Sequence, residues 1–392
     1  MKNLRILHII DHIYPMLGYQ ETSLAKAHSR AYETRVITSD QYTRSLYDAN
    51  VNLLKKRIVG VGLSTEDGIE ILRLPVRFNI ESLNSPWLVG LESAVTSFEP
   101  DAIIAHGMVN VTSIRLAMLK PEMAHVKLVF DDHMTFDASR GGWVNVLYKL
   151  FRTVFTPIFL KAADAFVAVT HETKRFMHEV YGIPSERIVI IPLGIDLDLF
   201  CHDSRARDLT RKKYGIEDDD VVFVYAGKII REKGVHLLVD AALQVCKKYS
   251  QVRFMIVGGQ DPSYLNMLKR KISSARLSSR FSFIDAVPNK ELHEYYSAAD
   301  VGVWPLQCSM TMLEATACGL PIIISDKSGA TERATHGNGL LYRESDSNDL
   351  EAKITLMLDD KLREKMSKKA ASYAKTLCWE DLAARFLDVL ES

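Results

Sequence analysis

Short apolar runs alternate with longer amphipathic stretches along most of the chain. Leu4–Ile10, Arg35–Thr38, Ile69–Leu74, Ala102–Ala105, Lys127–Phe130, Phe166–Val169 and Ile188–Ile191 have strand length and little polar interruption. Strands this continuously apolar are buried on both faces, as in parallel sheets covered by helices. Helical spacing fills the intervals, leading on from Gly18-Tyr19-Gln20-Glu21 to about Ala31, over Leu83–Phe98 and near Glu172–Tyr181. Strand, Gly-bearing loop, helix and strand in that order make a βαβ unit.

The pattern breaks at Pro192-Leu193-Gly194-Ile195-Asp196, and the polar stretch 202–220 follows. A second series then begins, with strands Val221–Tyr225, Arg253–Val257, Phe281–Ile284, Val301–Trp304 and Pro321–Ser325. Helices are expected over 235–248, 262–275, 289–298, 310–318, 347–358 and 361–375. The fold class expected is α/β, with two tandem Rossmann-like doubly wound domains, 1–195 and 196–375. The last segment, 376–392, carries Leu382, Phe386 and Leu390 on one helical stripe. In open α/β sheets ligands bind beyond the carboxyl ends of the strands. The candidate site is therefore the loops 11–20, 106–110, 131–140, 226–234, 258–262 and 305–312, on two faces expected to oppose each other across a cleft.

Composition narrows the function. The length, 392 residues, is too great for one ordinary core. Lys plus Arg and Asp plus Glu both number 49, for a formal net charge of +0, so no basic face for nucleic acid is implied. Cys201, Cys246, Cys308, Cys318 and Cys378 show no metal-ligand spacing and fit a reducing compartment. MKNLRILHIIDHIYP lacks a signal peptide's apolar core, and no apolar run reaches the ~18 residues of a membrane span. A soluble, cytoplasmic protein is expected.

Two stretches carry the chemistry. Gly227-Lys228-Ile229-Ile230-Arg231-Glu232-Lys233-Gly234 follows a buried strand and sets three cations in a loop bounded by glycines. Positive charge there suits a diphosphate leaving group. It is no Walker A sequence, and no G-x-G-x-x-G follows the first strand. The second stretch runs from Val301 to Ser325. Its helix, starting near Met310, offers unpaired N–H groups to a phosphate, with Ser309 or Thr311 able to cap it. Glu314 on that helix either complements the helix dipole or accepts sugar hydroxyls.

His106 and His133 each end a predicted strand, beside Asp131 and Asp132. No third ligand accompanies them at metal spacing, so polar contact with substrate is the better reading. His8, His12, His28 and His336 read as structural. The stretch 143–161 is aromatic and basic: either a membrane-facing patch with Lys149, Arg152 and Lys161, or a packing helix cut at Pro157.

Taken together these motifs resemble glycosyltransferase family 4, retaining enzymes of the two-domain GT-B fold. The resemblance covers nearly the whole chain. It rests on Pro15 and Gly18-x-x-Glu21, on the strand ends at His106 and His133, and on Pro192-Leu193-Gly194-Ile195-Asp196. Gly227-Lys228…Lys233-Gly234 and Leu313-Glu314-Ala315-x-Ala317-Cys318-Gly319-x-Pro321 complete it.

The resemblance implies that Lys228 and Lys233 hold the donor diphosphate, that Glu314 takes the ribose and that His133 lies by the transferring sugar. Gly18, His106, Gly227, Gln307, Ser309, Met310 and Thr311 would line the donor site. It further implies a nucleoside diphosphate sugar of UDP or GDP type as co-substrate, with no cofactor and no metal. The acceptor would be a glycan or glycolipid, with peripheral contact at the inner face of a membrane, and the last helix would return to the first domain.

One departure stands out. The family's Glu-x7-Glu pair would begin at Leu306, and no carboxylate lies between Asp300 and Glu314. Gln307, Cys308 and Ser309 stand where donor-sugar contacts are expected. A nucleotide-sugar epimerase of the same fold and a non-catalytic sugar-nucleotide-binding protein are the alternative readings.

Overall fold

The computed structural model describes residues 4–15, 19–49, 51–80, 84–136, 142–259 and 261–391. The chain divides into two compact units, Met1–Gly194 with Trp379–Ser392, and Ile195–Cys378.

The first unit contains β1 (Arg5–Ile9), β2 (Glu33–Ser39), β3 (Gly62–Glu66), β4 (Ile69–Leu74), β5 (Val76–Ile80), β6 (Ser85–Leu88), β7 (Ala102–His106), β8 (Lys127–Asp132), β9 (Ala165–Ala168) and β10 (Ile188–Ile190). Eight of them form one sheet in the order β10-β9-β8-β7-β1-β2-β4-β3, parallel except for the β3–β4 pair. The chain turns from one half of the sheet to the other between β1 and β7. Helices bury the faces of the central strands, and Phe130, Phe159 and Phe166 pack together in the core with Leu7, Ile103 and Phe176.

The second unit contains β11 (Val221–Ala226), β12 (Val252–Val257), β13 (Phe281–Ile284), β14 (Val301–Trp304), β15 (Ile322–Ser325) and β16 (Gly339–Tyr342). These make a parallel sheet ordered β13-β12-β11-β14-β15-β16. Its reversal falls between β11 and β14. β11, β14 and β15 are buried along their whole length, as their predominantly apolar sequences require, and the one hydroxyl at the end of β15, Ser325, donates to Glu344.

Three expectations need correction. The helix expected over Leu83–Phe98 is a strand, β6, followed by a shorter helix, Leu91–Phe98; Leu83 itself lies outside the described residues. Pro86 disfavours helix at the residue before it, and Gly90, with φ of 79°, turns the chain into the helix. β3 and β16 are additional edge strands, and β5 pairs with β6 in a separate two-stranded sheet; all three are short, although Val76–Ile80 alternates apolar and polar residues as a strand does. Finally, Pro157 does not cut the stretch 143–161. The helix Gly142–Leu150 widens into a π turn at Phe151–Phe155 and continues as Thr156–Ala162. The Thr156 N–H donates five residues back to the Phe151 carbonyl, so Pro157 falls in the first turn of the following helix, where its missing N–H costs little. Tyr148, Phe151 and Phe159 are buried there, while Val146, Leu150 and Val154 form an exposed row beside Lys149.

Ile195 donates its N–H to the Leu377 carbonyl at 2.7 Å, and Ile195 and Cys378 form a short parallel bridge. The last helix, Trp379–Glu391, then packs on the helix Gln20–Ser29, with an Arg30–Glu380 ion pair between them. Among the described residues no helix is long and apolar enough to cross a membrane.

Candidate functional site

The reversal between β11 and β14 leaves their two following loops side by side, where open α/β sheets bind ligands. Gly227 and Gly258, with φ of 149° and 148°, let the loop after β11 lie against the loop after β12. The Gly227 N–H donates to the Val257 carbonyl at 2.9 Å. Ile229 anchors the loop in the core, and its N–H donates to the Gly259 carbonyl at 2.6 Å. A single turn, Arg231–Lys233, then leads through Gly234 into the helix Val235–Lys248.

The two loops are tied together. Lys233 Nζ donates to the Cys308 carbonyl at 3.3 Å, and a Cβ on Gly234 would sit 2.6 Å from Leu306 Cγ. Leu306, where the family pattern places a glutamate, therefore packs against the 227–234 loop. The Thr311 hydroxyl donates to the Ala226 carbonyl at 2.8 Å, and Trp304 Nε1 donates to the same carbonyl at 2.9 Å. Arg333 holds the loop from the other side, donating to the Ser309 carbonyl at 2.8 Å. Ser309 stands at the N-cap of the helix Met310–Ala317, but its hydroxyl pairs with that of Thr311 and makes no cap bond. Gln307, Ser309 and Met310 are half-buried, while Lys228 is exposed.

Glu314 does more than complement a helix dipole. It is 3 % exposed. Asn289 Nδ2 donates to Oε1 at 2.8 Å, and the buried Tyr296 hydroxyl donates to Oε2 at 3.2 Å. Burial pushes its pKa up from 4.5 to about 7, against the pull of these two donors. A folded-state pKa above the unfolded one adds stability below pH 4.5, and that stability is lost as pH rises towards 7. Asn289 and Tyr296 escaped the sequence reading. Asn289 follows Pro288 in the connection beyond β13, which is the one positional signal that marked it.

In the first unit the expected residues separate. His133 is exposed beyond the end of β8. Asp132 is buried; it accepts the N–H groups of Met134 at 2.8 Å and Met108 at 3.4 Å, and burial raises its pKa. His106 lines no open surface: at 7 % exposure, Nδ1 lies 2.8 Å from Asp131 Oδ2 and Nε2 lies 3.0 Å from His8 Nδ1. Both ring nitrogens are engaged inside the protein, so the donor contact expected of His106 is corrected to an internal one. Gly18 lies outside the described residues. Among the described residues no group of three His, Cys, Asp or Glu is placed to hold a metal ion.

The model for "Glycosyl transferases group 1" matches residues 206–374, and that for "Glycosyltransferase Family 4" matches 22–199. A D-inositol 3-phosphate glycosyltransferase of Xylanimonas cellulosilytica is 28% identical over 242 residues, 58% of this chain and 57% of that protein. Mannosylfructose-phosphate synthase of Agrobacterium fabrum is 28% identical over 249 residues, 60% of this chain and 54% of that one. The matched stretch thus spans a little over half the length of these relatives. Among solved structures, Anabaena HepE in complex with UDP superposes with a TM-score of 0.76 at 18% identity, covering 99% of this chain and 100% of that one. Sucrose-phosphate synthase of Thermosynechococcus elongatus gives 0.74 at 18%, covering 99% and 98%. With one model matching in each unit and the fold shared along the whole length, the chain belongs to the group 1 glycosyltransferases of family 4, on the GT-B fold.

Proposed function

We propose that this protein is a retaining glycosyltransferase that moves a hexose-type sugar from a nucleoside diphosphate sugar, of UDP or GDP type, to a hydroxyl of a glycan or glycolipid. The observation that carries the reading is the junction of the 227–234 and 305–311 loops, joined by Lys233 and flanked by the buried Glu314. The bond from the anomeric carbon to the diphosphate breaks, and the acceptor oxygen bonds the same face. The acceptor proton passes to the departing phosphate oxygen. Lys228 and Lys233 neutralise the charge that grows there. Glu314 accepts the ribose hydroxyls, and His133 lies by the transferring sugar. The exposed row Val146, Leu150 and Val154 beside Lys149 fits contact with a lipid surface that holds the acceptor.

Thermal shift against UDP, GDP and ADP tests the donor half, since a ligand that binds the folded state raises Tm. Donor turnover with an acceptor panel, and the anomeric configuration of the product, test the rest. No shift with any nucleoside diphosphate would overturn the reading, and an epimer formed from donor alone would replace it. On this reading no metal is needed, so activity should survive EDTA. Loss on chelation, restored by Mg²⁺ or Mn²⁺, counts against the lysines as the neutralising groups.

Ribose and donor-sugar contacts should separate by mutation. The ionised Glu314 accepts hydroxyls, so nucleoside diphosphate affinity should rise with pH towards 7 and level off above it. Below pH 7 it should fall by about tenfold per unit as the competent fraction shrinks. Glu314→Gln should abolish that slope and weaken nucleoside diphosphate and whole donor alike. Gln307→Ala or Ser309→Ala should spare the nucleoside diphosphate and weaken the donor by about 1–3 kcal/mol. Calorimetric titration of both ligands across pH decides between these outcomes, and equal losses for both in Gln307→Ala would remove that loop from sugar binding.

A further inference from the structure

A line of buried imidazoles crosses the first unit. His28 Nε2 lies 3.1 Å from the carbonyl oxygen of Ala383, on the last helix. His28 Nδ1 lies 3.0 Å from His8 Nε2, and His8 Nδ1 lies 3.0 Å from His106 Nε2. His106 Nδ1 ends the line, 2.8 Å from Asp131 Oδ2. Gln20 Nε2 donates to the same oxygen at 3.2 Å, while Asp131 Oδ1 is buried without a partner. All three rings and the carboxylate are buried.

The two ends of this line fix its proton count. The Ala383 carbonyl only accepts, and an ionised carboxylate only accepts. Four hydrogen bonds lie between those ends, and each needs one proton. Three neutral imidazoles carry three. The line is therefore complete with one proton more than three neutral rings hold, and with Asp131 ionised its net charge is then zero.

The electrostatics set where that proton resides. Burial, with the charges of His28 and His106, holds the His8 pKa well below the usual histidine value. Burial pushes His28 down to about 4, although its bond to Ala383 pulls the other way. Burial also opposes charge on His106, but the Asp131 charge and hydrogen bond, with the charge of Glu21, prevail and raise it. The other charged groups nearby are Asp132, next to Asp131 and facing His133, and the Arg30–Glu380 pair joining the two covering helices. The extra proton belongs at the His106 end.

We propose that His28, His8 and His106 are positioning residues that share one extra proton with Asp131, neutralising that carboxylate at the strand end leading into Asp132 and His133 and fastening the last helix to the sheet. Without the relay, Asp131 and Asp132 would be adjacent buried carboxylates, and a buried charge left without its partner is strongly destabilising. Repulsion there would displace the segment bearing His133. The consequence for turnover rests on the proposed role of His133, whereas the proton count does not.

The test reads the two separately. Long-range ¹H–¹⁵N NMR of the full chain at pH 7, without donor and with rings assigned by single histidine variants, should show His106 protonated on both nitrogens. His8 and His28 should be neutral, with the proton on Nε2. In Asp131→Asn the amide can donate to His106 Nδ1 once Gln20 turns its own amide, so three neutral rings should appear in a folded protein. In turnover assays His106→Gln should lower kcat on the order of tenfold, the scale of a displaced reacting group. Adding Asp131→Asn to it should restore most of that loss, because the uncompensated charge is gone. Three neutral rings in the wild type, or a doubly protonated ring surviving in Asp131→Asn, overturns the proposal. A double variant no better than His106→Gln does so as well.

Discussion

Lys233→Ala is expected to lower kcat/KM by roughly 10²–10³, the scale of removing one preorganised electrostatic contact. Two losses combine in this variant. On the proposed mechanism the ammonium that neutralises the leaving diphosphate disappears, and with it goes the bond from Nζ to the Cys308 carbonyl that ties the loops after β11 and β14 together. The second loss separates this residue from Lys228, which is exposed. Lys228→Arg should be mild, because a guanidinium also fits phosphate, whereas Lys233→Arg should recover only part of the activity, because its planar fork cannot repeat a single point contact. Steady-state kinetics with saturating acceptor measure both. A Lys233→Ala variant within about threefold of wild type would take this loop out of the mechanism.

Gly258→Ala is expected to be the most damaging small substitution in the second unit. Its φ of 148° is a conformation that residues with a Cβ rarely adopt. A Cβ built there would stand far inside van der Waals contact of the Gly227 carbonyl oxygen. That oxygen belongs to backbone, which cannot rotate out of the way as the end of a side chain can. Strain and overpacking together should cost about 3 kcal/mol, lowering Tm by on the order of 10 °C. Relief would come by moving Gly227 and Lys228, so the residual folded protein should also bind nucleoside diphosphate less tightly. Differential scanning calorimetry and thermal shift with ligand test the two effects. A variant melting within about 2 °C of wild type would mean that the two loops part without cost.

The alternating pattern by itself determined the α/β class, the parallel sheets and the loops that hold the phosphate-binding candidates. Each of those follows from local chemistry: an unbroken apolar run must be covered on both faces, and a glycine-bounded loop after such a run lies at a strand end. Leu83–Phe98 misled for the same reason, since apolar spacing of that length fits a helix until Pro86 and Gly90 are given their full weight. Pro157 misled in the opposite sense, because one wide turn absorbs what sequence treats as a break.

What only the tertiary structure decided is the company each polar group keeps. Asn289 and Tyr296 reach Glu314 from a different helix, and their spacing from it has no period that a sequence reader could use. The histidine line depends on strand register. In the parallel pairs His8 lies opposite Ile104, two residues before His106 and on the same face, and His106 lies directly opposite Asp131. Read singly, His8 and His28 were structural histidines and His106 a ligand contact. A side chain's hydrogen-bonding partners are set by which strands pair, in what register, and which helices cover them, and the sequence of one strand holds no record of its neighbours' register.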